Sequence, residues 1–459
     1  MRYYIRHPLR RYGYLTAGLD FFAAFLAIGF ASYLSGGRVG LAAALPVAVL
    51  ATGLIAMLFY SSLYRLDRLV VRRRAVLRLA ISLALGLFAL RWAFPAGALG
   101  LPAFTPVAIG LASLLLVGLS TAARTYLSFQ WNRDDARERV LVLGTNALAR
   151  AIGAEFEHMK DLGLDIAGYV SDDPEDTLEV IAGSPVFMGS EGVEKYLIDH
   201  DIRRVIVTDP TLLSLTVCSA LVTAKLAHVL VEDGLEFWEA MSGRIFLRGL
   251  PAARLVSDPG FTSSVVADGV RRGFDVLVAS VGLVLSAPIV ALAALAIRLD
   301  SEGPVLFKQE RVGRGGHRFQ ICKLRTMRSD AEAESGAVWT STHDDRITPV
   351  GGFLRKSRID ELPQLWNVLV GDMGIVGPRP ERPEFADQLA ERYPHFAMRT
   401  AIRPGITGWA QVRMGYVNDM DSWEHKLSYD LYYLKRRTLS LDVLILFRTT
   451  QTLVALRGL

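Results

Sequence analysis

Four long apolar stretches fill most of the first quarter of the chain and constrain its fold more than any other feature. They cover residues 14–34, 39–63, 75–94 and 104–123. Each is close to the roughly 20 residues that a helix needs to cross the hydrocarbon core of a bilayer. The whole chain has 51% hydrophobic residues and a mean hydropathy of +0.29, which is high for a soluble protein. We therefore predict a multi-domain membrane protein with four transmembrane helices in residues 1–130.

The arginines between these stretches predict how the helices are oriented. The segments before the first, after the second and after the fourth stretch are rich in arginine, whereas the other two connecting segments carry only Arg38 and Arg91. Loops with excess positive charge stay in the cytoplasm, so we predict that both ends of this domain are cytoplasmic. Asp20 lies inside the first stretch, close enough to its end that we expect a structural role.

Residues 138–246 have the composition of a globular domain in which strand-like and helix-like runs alternate. This alternation predicts a Rossmann-like α/β accessory domain with a parallel sheet. Residues 247–269, which prolines and a glycine interrupt, are predicted to be a connector.

The first turn of this domain lacks the glycine-rich fingerprint of a dinucleotide site. Gly144 is followed by Thr145 and Asn146, so the pattern G-x-G-x-x-G is absent. Asp172 and Asp173 could contact a ribose, but acids that follow a strand are usually loop residues. We predict a domain without hydride chemistry and leave weak nucleotide binding open.

Two adjacent acids, Asp360 and Glu361, stand out in residues 356–370, KSRIDELPQLWNVLV. The spacing of the apolar residues predicts one helix. Its predicted buried face comprises Ile359, Leu362, Trp366 and Leu369, and its opposite face comprises Lys356, Asp360, Gln364 and Asn367. Pro363 is tolerated only in a first turn, which would put both acids at the helix N-terminus, where a phosphate can also bind. Adjacent acids among basic residues suggest a nucleophile beside a metal ligand, although an ordinary acidic first turn explains these residues equally well.

Several motifs surround this stretch in a fixed order. They are Lys323-Leu324-Arg325 upstream, and Pro378-Arg379-Pro380 and Arg403-Pro404-Gly405 downstream. Together with the acid pair, they resemble the bacterial polyprenyl-phosphate sugar-1-phosphate transferases, the monotopic phosphoglycosyl transferases that begin exopolysaccharide, capsule and O-antigen assembly. The resemblance covers the chain from about residue 271 to its end, and the N-terminal part is similar to the large members of that family.

The resemblance implies a reaction and a location. A sugar-1-phosphate passes from a UDP-sugar to undecaprenyl phosphate through a phosphosugar bonded to an aspartate, and UMP is released. It implies that Asp360 is the nucleophile and that Glu361 binds Mg²⁺. It also implies a C-terminal α+β catalytic domain, predicted here for residues 270–459, on the cytoplasmic face of the bacterial inner membrane.

Transfer of a phosphoryl group needs fixed positive charge around the phosphate oxygens. The candidate substrate-binding residues are Lys323, Arg325, Arg358, Arg379 and Arg403, together with Asp442, which matches a recurrent acid of the family. We favour Arg379 among them, because the prolines on both sides stiffen its backbone. The alternative for each arginine is a surface salt bridge, and for Asp442 it is a helix cap.

A further apolar run, residues 276–297, has no charged residue and is long enough to cross the membrane. Its flanks are both basic, with Arg271 and Arg272 before it and Arg298 after it, so both ends are predicted to be cytoplasmic. Ser286 and Pro288 near its middle predict a break, which gives a re-entrant helix over residues 272–298. The family has such a helix, and the alternative is a fifth span.

Two other functions were weighed against the sequence. A membrane-anchored nucleotide-sugar dehydratase or epimerase would need the glycine fingerprint that is missing at Gly144. A non-enzymatic scaffold for polysaccharide assembly is disfavoured by the intact acid pair. We expect contacts with membrane lipids, no nucleic-acid partner, and a homo-oligomer such as a dimer.

Overall fold

A computed structural model describes residues 8–34, 106–131, 138–157, 164–173, 179–248, 258–262, 264–328, 344–414 and 422–454. The chain divides into two compact units, Met1–Ala240 and Met241–Leu459, and each is described by itself.

Two long helices in the first unit coincide with the first and fourth apolar stretches. Helix α1 is Pro8–Leu34 and helix α2 is Pro106–Trp131. They pack through small residues such as Ala24 and Ala112, while large apolar side chains point outward, as in helices that associate within lipid. The predicted second and third spans, residues 39–63 and 75–94, lie outside the described residues.

Asp20 is buried between these two helices. It is 0% exposed, and the hydroxyl of Ser120 in α2 donates a hydrogen bond to its carboxylate. This contact gives Asp20 the structural partner that we expected.

A six-stranded sheet forms the rest of the first unit, in the order β3-β4-β2-β1-β5-β6. Its strands are β1 (Glu138–Leu143), β2 (Leu164–Ser171), β3 (Val180–Ile181), β4 (Ser184–Met188), β5 (Arg204–Val207) and β6 (Leu230–Asp233). The helices are α3 (Ala147–Glu157), α4 (Val193–Asp199), α5 (Leu215–Leu226) and α6 (Gly234–Ser242). All neighbouring strands are parallel except β3 and β4. The prediction of a Rossmann-like α/β domain is thereby confirmed.

The turn after β1 is closed by its own hydrogen bonds. Gly144 has φ +115°, and a Cβ there would lie 2.5 Å from Oγ1 of Thr208. The side chain of Asn146 donates to the carbonyl of Thr208 and accepts from the amide of Ala149 at the start of α3. The side chain of Asp172 accepts from the amide and hydroxyl of Ser190. The side chains of Asn146 and Asp172 at this edge of the sheet are therefore engaged with the protein itself.

The second unit contains one helix of 36 residues, α7 (Val265–Asp300), capped by Ser264. Among the described helices, this one is long and apolar enough to cross a membrane. Pro288 lies inside it and helical backbone continues on both sides, so the break predicted at Ser286 and Pro288 does not interrupt the helix, and a re-entrant bend at these residues stays a prediction. A continuous helix tolerates a proline at the cost of one backbone hydrogen bond and a bend.

Both halves of α7 pack on the same globular domain. Ala279 in the first half joins a core with Val368 and Met373, and Ala293 in the second half joins one with Leu324 and Leu354. A hairpin of β7 (Leu306–Val312) and β8 (Arg318–Leu324) supplies residues to both cores.

The remaining elements surround this hairpin. The helices are α8 (Pro349–Ser357), α9 (Gln364–Val370), α10 (Pro383–Arg392), α11 (Trp409–Met414), α12 (Trp423–Lys435) and α13 (Leu439–Val454), and the strands β9 (Gly374–Val376) and β10 (Gly405–Thr407) pair in parallel. Short 3-10 turns lie at Pro259–Phe261, Arg314–Gly316, Ile359–Glu361 and Phe396–Ala401. The core under α12 and α13 contains Trp409, Leu431 and Ile445.

Candidate active site

The acid pair sits on a 3-10 turn between two helices. Helix α8 ends at Ser357, and Arg358 follows in the left-handed conformation with φ +58°. Asp360 and Glu361 then form one 3-10 turn, and α9 begins only after Pro363. The single helix predicted for residues 356–370 is therefore wrong: the left-handed Arg358 ends α8, and Pro363, which has no N–H to donate, begins a separate helix.

The buried face of α9 is the opposite of the predicted one. Gln364 and Asn367 are 2% and 3% exposed, whereas Trp366 is 58% exposed. The Asn367 side chain accepts from the amide of Cys322 at 3.0 Å and donates to the carbonyl of Gln320 at 2.8 Å. The polar face is buried because it ties α9 to β8, and this places the acid pair against the strand that carries Lys323.

Three positively charged side chains converge on Glu361. Oε1 of this carboxylate lies 3.1 Å from Nη2 of Arg379, 3.3 Å from Nη1 of Arg358 and 3.4 Å from Nζ of Lys323. These residues come from β8, from the turn after α8 and from the loop after β9. The fold thus gathers three of the predicted substrate-binding residues around the predicted metal ligand.

The two neighbouring carboxylates have opposite protonation behaviour. Burial alone would raise the pKa of Glu361, but the positive charges of Arg379 and Lys323 outweigh it and hold that pKa well below its usual range. Burial, and then the negative charge of Glu361, raise the pKa of Asp360 to about 6. Asp360 is therefore mostly ionised at pH 7, but its surroundings stabilise its carboxylate less than they stabilise that of Glu361.

One oxygen of Asp360 is buried and has no hydrogen-bond partner in the structure. This atom is Oδ1. A buried carboxylate oxygen without a partner is costly for the fold, and next to the cations around Glu361 it is placed to meet a ligand or a reacting atom. An oxygen that no donor holds also keeps its lone pairs for attack on an electrophile.

The other three predicted substrate-binding residues have contacts away from Glu361. Arg325 donates to the carbonyls of Ser301 and Glu302, which follow α7. Arg403 donates to the carbonyl of Gly371 after α9. The carboxylate of Asp442 accepts from Tyr433 at 2.7 Å and from Arg271 at 3.3 Å. These contacts give Arg325, Arg403 and Asp442 structural roles in the fold. That these three residues also contact substrate stays a prediction.

Buried ion pairs behind the Arg379 loop were missed by sequence reasoning. Lys426 lies 2.9 Å from Glu381, and Arg399 lies 2.9 Å from Asp430. The positive charges of Lys426 and Arg399 overcome burial and lower the pKa of Glu381 to about 2. The sequence signal for these pairs is limited to Glu381, which follows Pro380. Lys426 is 45 residues from Glu381 and Arg399 is 31 residues from Asp430, so local pattern does not reveal either pair.

The carboxylate pair can serve as a magnesium site only with help from a ligand. In the part of the chain that the structure describes, no group of three or more His, Cys, Asp or Glu side chains is arranged to hold a metal ion. Magnesium binds through one or two carboxylates when substrate phosphates and water complete its octahedron. The partnerless oxygen of Asp360 and the ionised Glu361 fit that donor set.

Comparison with known proteins identifies the family of the second unit. The profile of the bacterial sugar transferase family matches residues 266–456. Among solved structures, the Rex-family repressor RSP matches 36% of this chain and 88% of its own, with 16% identity and a TM-score of 0.21, too low to support a conclusion.

Curated relatives support the match. The UDP-N-acetylgalactosamine-undecaprenyl-phosphate N-acetylgalactosaminephosphotransferase of Aeromonas hydrophila is 42% identical over 51% of this chain and 54% of its own length. The UDP-glucose:undecaprenyl-phosphate glucose-1-phosphate transferase of Caulobacter vibrioides is 44% identical over 41% of this chain and 72% of its own. A putative undecaprenyl-phosphate N-acetylgalactosaminyl 1-phosphate transferase of Bacillus subtilis is 48% identical over 28% of this chain and 72% of its own. The chain thus spans about half the length of the first relative but more than two thirds of the other two, and it belongs to the bacterial sugar transferase family.

Proposed function

We propose that this protein transfers a sugar-1-phosphate from a UDP-sugar to undecaprenyl phosphate and releases UMP, as the first step of exopolysaccharide, capsule or O-antigen synthesis. The observation that carries the proposal is the buried, partnerless Oδ1 of Asp360 beside three cations that converge on Glu361. A nucleophile next to fixed positive charge is what displacement at a diphosphate requires. The reactions that the names of the relatives describe agree with this one.

The reaction proceeds in two displacements. A carboxylate oxygen of Asp360 attacks the β-phosphorus of the UDP-sugar, and the bond from that phosphorus to the bridging oxygen breaks, so that UMP leaves with the electron pair. The enzyme then holds the sugar phosphate as an acyl phosphate on Asp360. An oxygen of undecaprenyl phosphate attacks the same phosphorus, the acyl phosphate bond breaks, and the carboxylate is restored.

The cations around Glu361 stabilise the charge on the phosphate oxygens. These cations are Arg379, Arg358 and Lys323, and Glu361 holds them in place before substrate arrives. Arg379 suits the role best, because its planar guanidinium can bind two phosphate oxygens at once. Bound Mg²⁺, held by Glu361, would neutralise charge on the diphosphate and on the departing UMP.

Helix α7 brings this chemistry to the membrane surface. Near the start of α7, Arg272 donates to the carbonyls of Val368 and Leu369. Ser301 directly follows the helix, and its carbonyl accepts from Arg325, which follows β8. Both ends are thus attached to one globular domain, and both carry basic residues, which supports a helix that enters and leaves the membrane on the cytoplasmic side. Trp366, which is exposed on the neighbouring α9, suits the interface between lipid and water.

Cysteine labelling tests this re-entrant topology. Single cysteines at Arg272 and Arg314 should both react only from the cytoplasmic side, and Pro288→Leu should drive the helix toward spanning. Reaction of the two sites from opposite sides in the wild type would show a true fifth span.

The N-terminal helices complete the proposed architecture. We propose four transmembrane helices with cytoplasmic ends in the bacterial inner membrane, followed by the Rossmann-like accessory domain, and assembly as a homo-oligomer. A periplasm-active reporter fused after Asp135 should stay silent, and a signal from it would contradict the topology. The mass of the purified protein in nanodiscs tests the oligomer.

The decisive experiment measures UMP release and covalent labelling by the purified full-length protein. With undecaprenyl phosphate and a panel of UDP-sugars, the wild type should release UMP from at least one donor. Without lipid acceptor, a UDP-sugar labelled in its sugar should leave label on the protein. Asp360→Asn should abolish both, whereas the control Asp387→Asn, the same change on the exposed surface of α10, should leave both intact. Turnover by Asp360→Asn near the wild-type rate would refute the assignment.

A further inference from the structure

In the loop that carries Arg379, each backbone carbonyl of residues 378–381 accepts a hydrogen bond from a different residue. The donors are the amide of Gly405 to Pro378 at 3.0 Å, Nη2 of Arg399 to Arg379 at 2.8 Å, Nη1 of Arg311 to Pro380 at 3.1 Å, and the amide of Val312 to Glu381 at 3.0 Å. Two of these four loop residues are prolines, which have no N–H to donate. The loop is therefore held mainly through its carbonyls, and two of the four donors are arginine side chains.

Arg399 is the most constrained of these donors. It is 5% exposed, and the same Nη2 that contacts the loop also donates to Asp430, which is 2% exposed, at 2.9 Å. Its guanidinium lies 5.0 Å from the ring centre of Phe396 and 5.5 Å from that of Trp423. A planar cation that is fixed by a buried carboxylate and by aromatic rings has little freedom to move.

The fixed carbonyl determines where the Arg379 side chain begins. The φ angles of Pro378 and Pro380 are set by their rings, and Arg399 fixes the peptide between Arg379 and Pro380. From this backbone the Arg379 guanidinium reaches Glu361 at 3.1 Å. A displacement of this peptide by about 1 Å would carry the guanidinium away from that distance.

We propose that Arg399, held by Asp430, is a positioning residue that aims the Arg379 guanidinium at Glu361 and at the donor diphosphate. The diphosphate part of this statement rests on the proposed function, whereas the contact with Glu361 does not. Arg399 itself does not touch the reacting atoms in this assignment, and it acts through the carbonyl of Arg379.

A double-mutant cycle on activity tests the link between the two arginines. Arg399→Lys keeps the charge beside Asp430, but a single ammonium cannot reproduce the fixed fork of a guanidinium. We expect it to lower kcat/KM for UMP release by about 100-fold, the loss expected when a catalytic group is misplaced by about 1 Å. In an Arg379→Ala background, Arg399→Lys should cause no further loss, because the group that it positions is absent.

A matched control separates positioning from simple loss of folding. Arg413 is also stacked on an aromatic ring, that of Trp409, and it donates to the carbonyl of Ser242 at 2.8 Å, away from the acid pair. Arg413→Lys should lower the melting temperature and leave the activity of the folded protein close to wild type in both backgrounds. If Arg399→Lys lowers activity by the same factor with and without Arg379, Arg399 has only a structural role and the proposal is wrong.

A second cycle tests the same link without relying on turnover. The effects of Arg399→Lys and Glu361→Gln on the melting temperature should be less than additive, because both disrupt the contact between Arg379 and Glu361. Additive effects would overturn the positioning role even in an active enzyme. Failure of the wild type to release UMP from any donor would refute the proposed function alone, since this second cycle remains measurable.

Discussion

Replacing Asp360 by asparagine should abolish activity and also make the protein more stable. Burial and the charge of Glu361 raise the pKa of Asp360 from an ordinary value of 3.8 to about 6. The folded state therefore holds this proton more tightly than the unfolded chain does. The rise corresponds to about 3 kcal/mol of stability lost once the group is ionised. The amide of the asparagine variant would carry no charge, so the fold should recover most of this free energy.

The sign of the effect gives it a pH dependence. A raised carboxyl pKa means that stability falls as the pH increases from about 4 to about 6 and is then constant. The advantage of Asp360→Asn should be full at about pH 7.5, should shrink below about pH 6 and should be nearly lost at about pH 4. For a domain of about 200 residues, about 3 kcal/mol corresponds to an increase in melting temperature of roughly 6–12 °C.

The neighbouring acid supplies a control of opposite sign. Glu361→Gln removes the partner of Arg379, Arg358 and Lys323 and should destabilise the fold by about 3 kcal/mol, since it leaves partly buried cations uncompensated. Thermal unfolding of the purified full-length protein at pH 7.5 and pH 4.5 measures both variants. A melting temperature for Asp360→Asn at or below that of the wild type at pH 7.5, or a gain that does not change at pH 4.5, would refute the reasoning.

Three further predictions follow from other contacts. Because Asp360 must be ionised to attack and its pKa is about 6, kcat/KM for UMP release should fall about tenfold per pH unit below pH 6, and a flat profile from pH 5 to 8 would contradict this. At the left-handed position of residue 358, Arg358→Gly should be more stable than Arg358→Ala by about 1 kcal/mol and should unfold at a higher temperature, although both lose the same ion pair. Equal or reversed melting temperatures would show that this φ carries no strain. Ser120→Ala, which removes the donor to Asp20 between two helices, should cost about 1 kcal/mol in nanodiscs, whereas Thr125→Ala, whose hydroxyl bonds within its own helix, should be near neutral.

The sequence predicted the parts of this fold that depend on local pattern. Alternating strand-like and helix-like runs predicted the parallel sheet that the structure contains. The acid pair and Arg379 were recognised because they form short motifs along the chain, and the structure brings Arg379 within 3.1 Å of Glu361.

Features that depend on distant partners could not be read from local pattern. The buried face of α9 was assigned to Trp366 because apolar spacing normally marks the core. In the structure Asn367 is buried instead, because it satisfies backbone groups of β8, and Trp366 is exposed. The pairs of Arg399 with Asp430 and of Lys426 with Glu381 join elements far apart in sequence, and nothing local distinguishes these residues from ordinary surface charges.

Helix α7 has a consequence for the order in which this protein is made. The ribosome completes residue 300 before any of the strands and helices that pack on α7 have been synthesised, because these partners begin at residue 306. The emerging helix therefore presents a long apolar surface with no protein to cover it, and in water such a surface aggregates. In the proposed membrane topology, insertion into lipid comes first, and the rest of the domain then folds onto a helix already anchored in the membrane. Synthesis away from a bilayer should yield an aggregate from which this domain cannot be recovered without detergent.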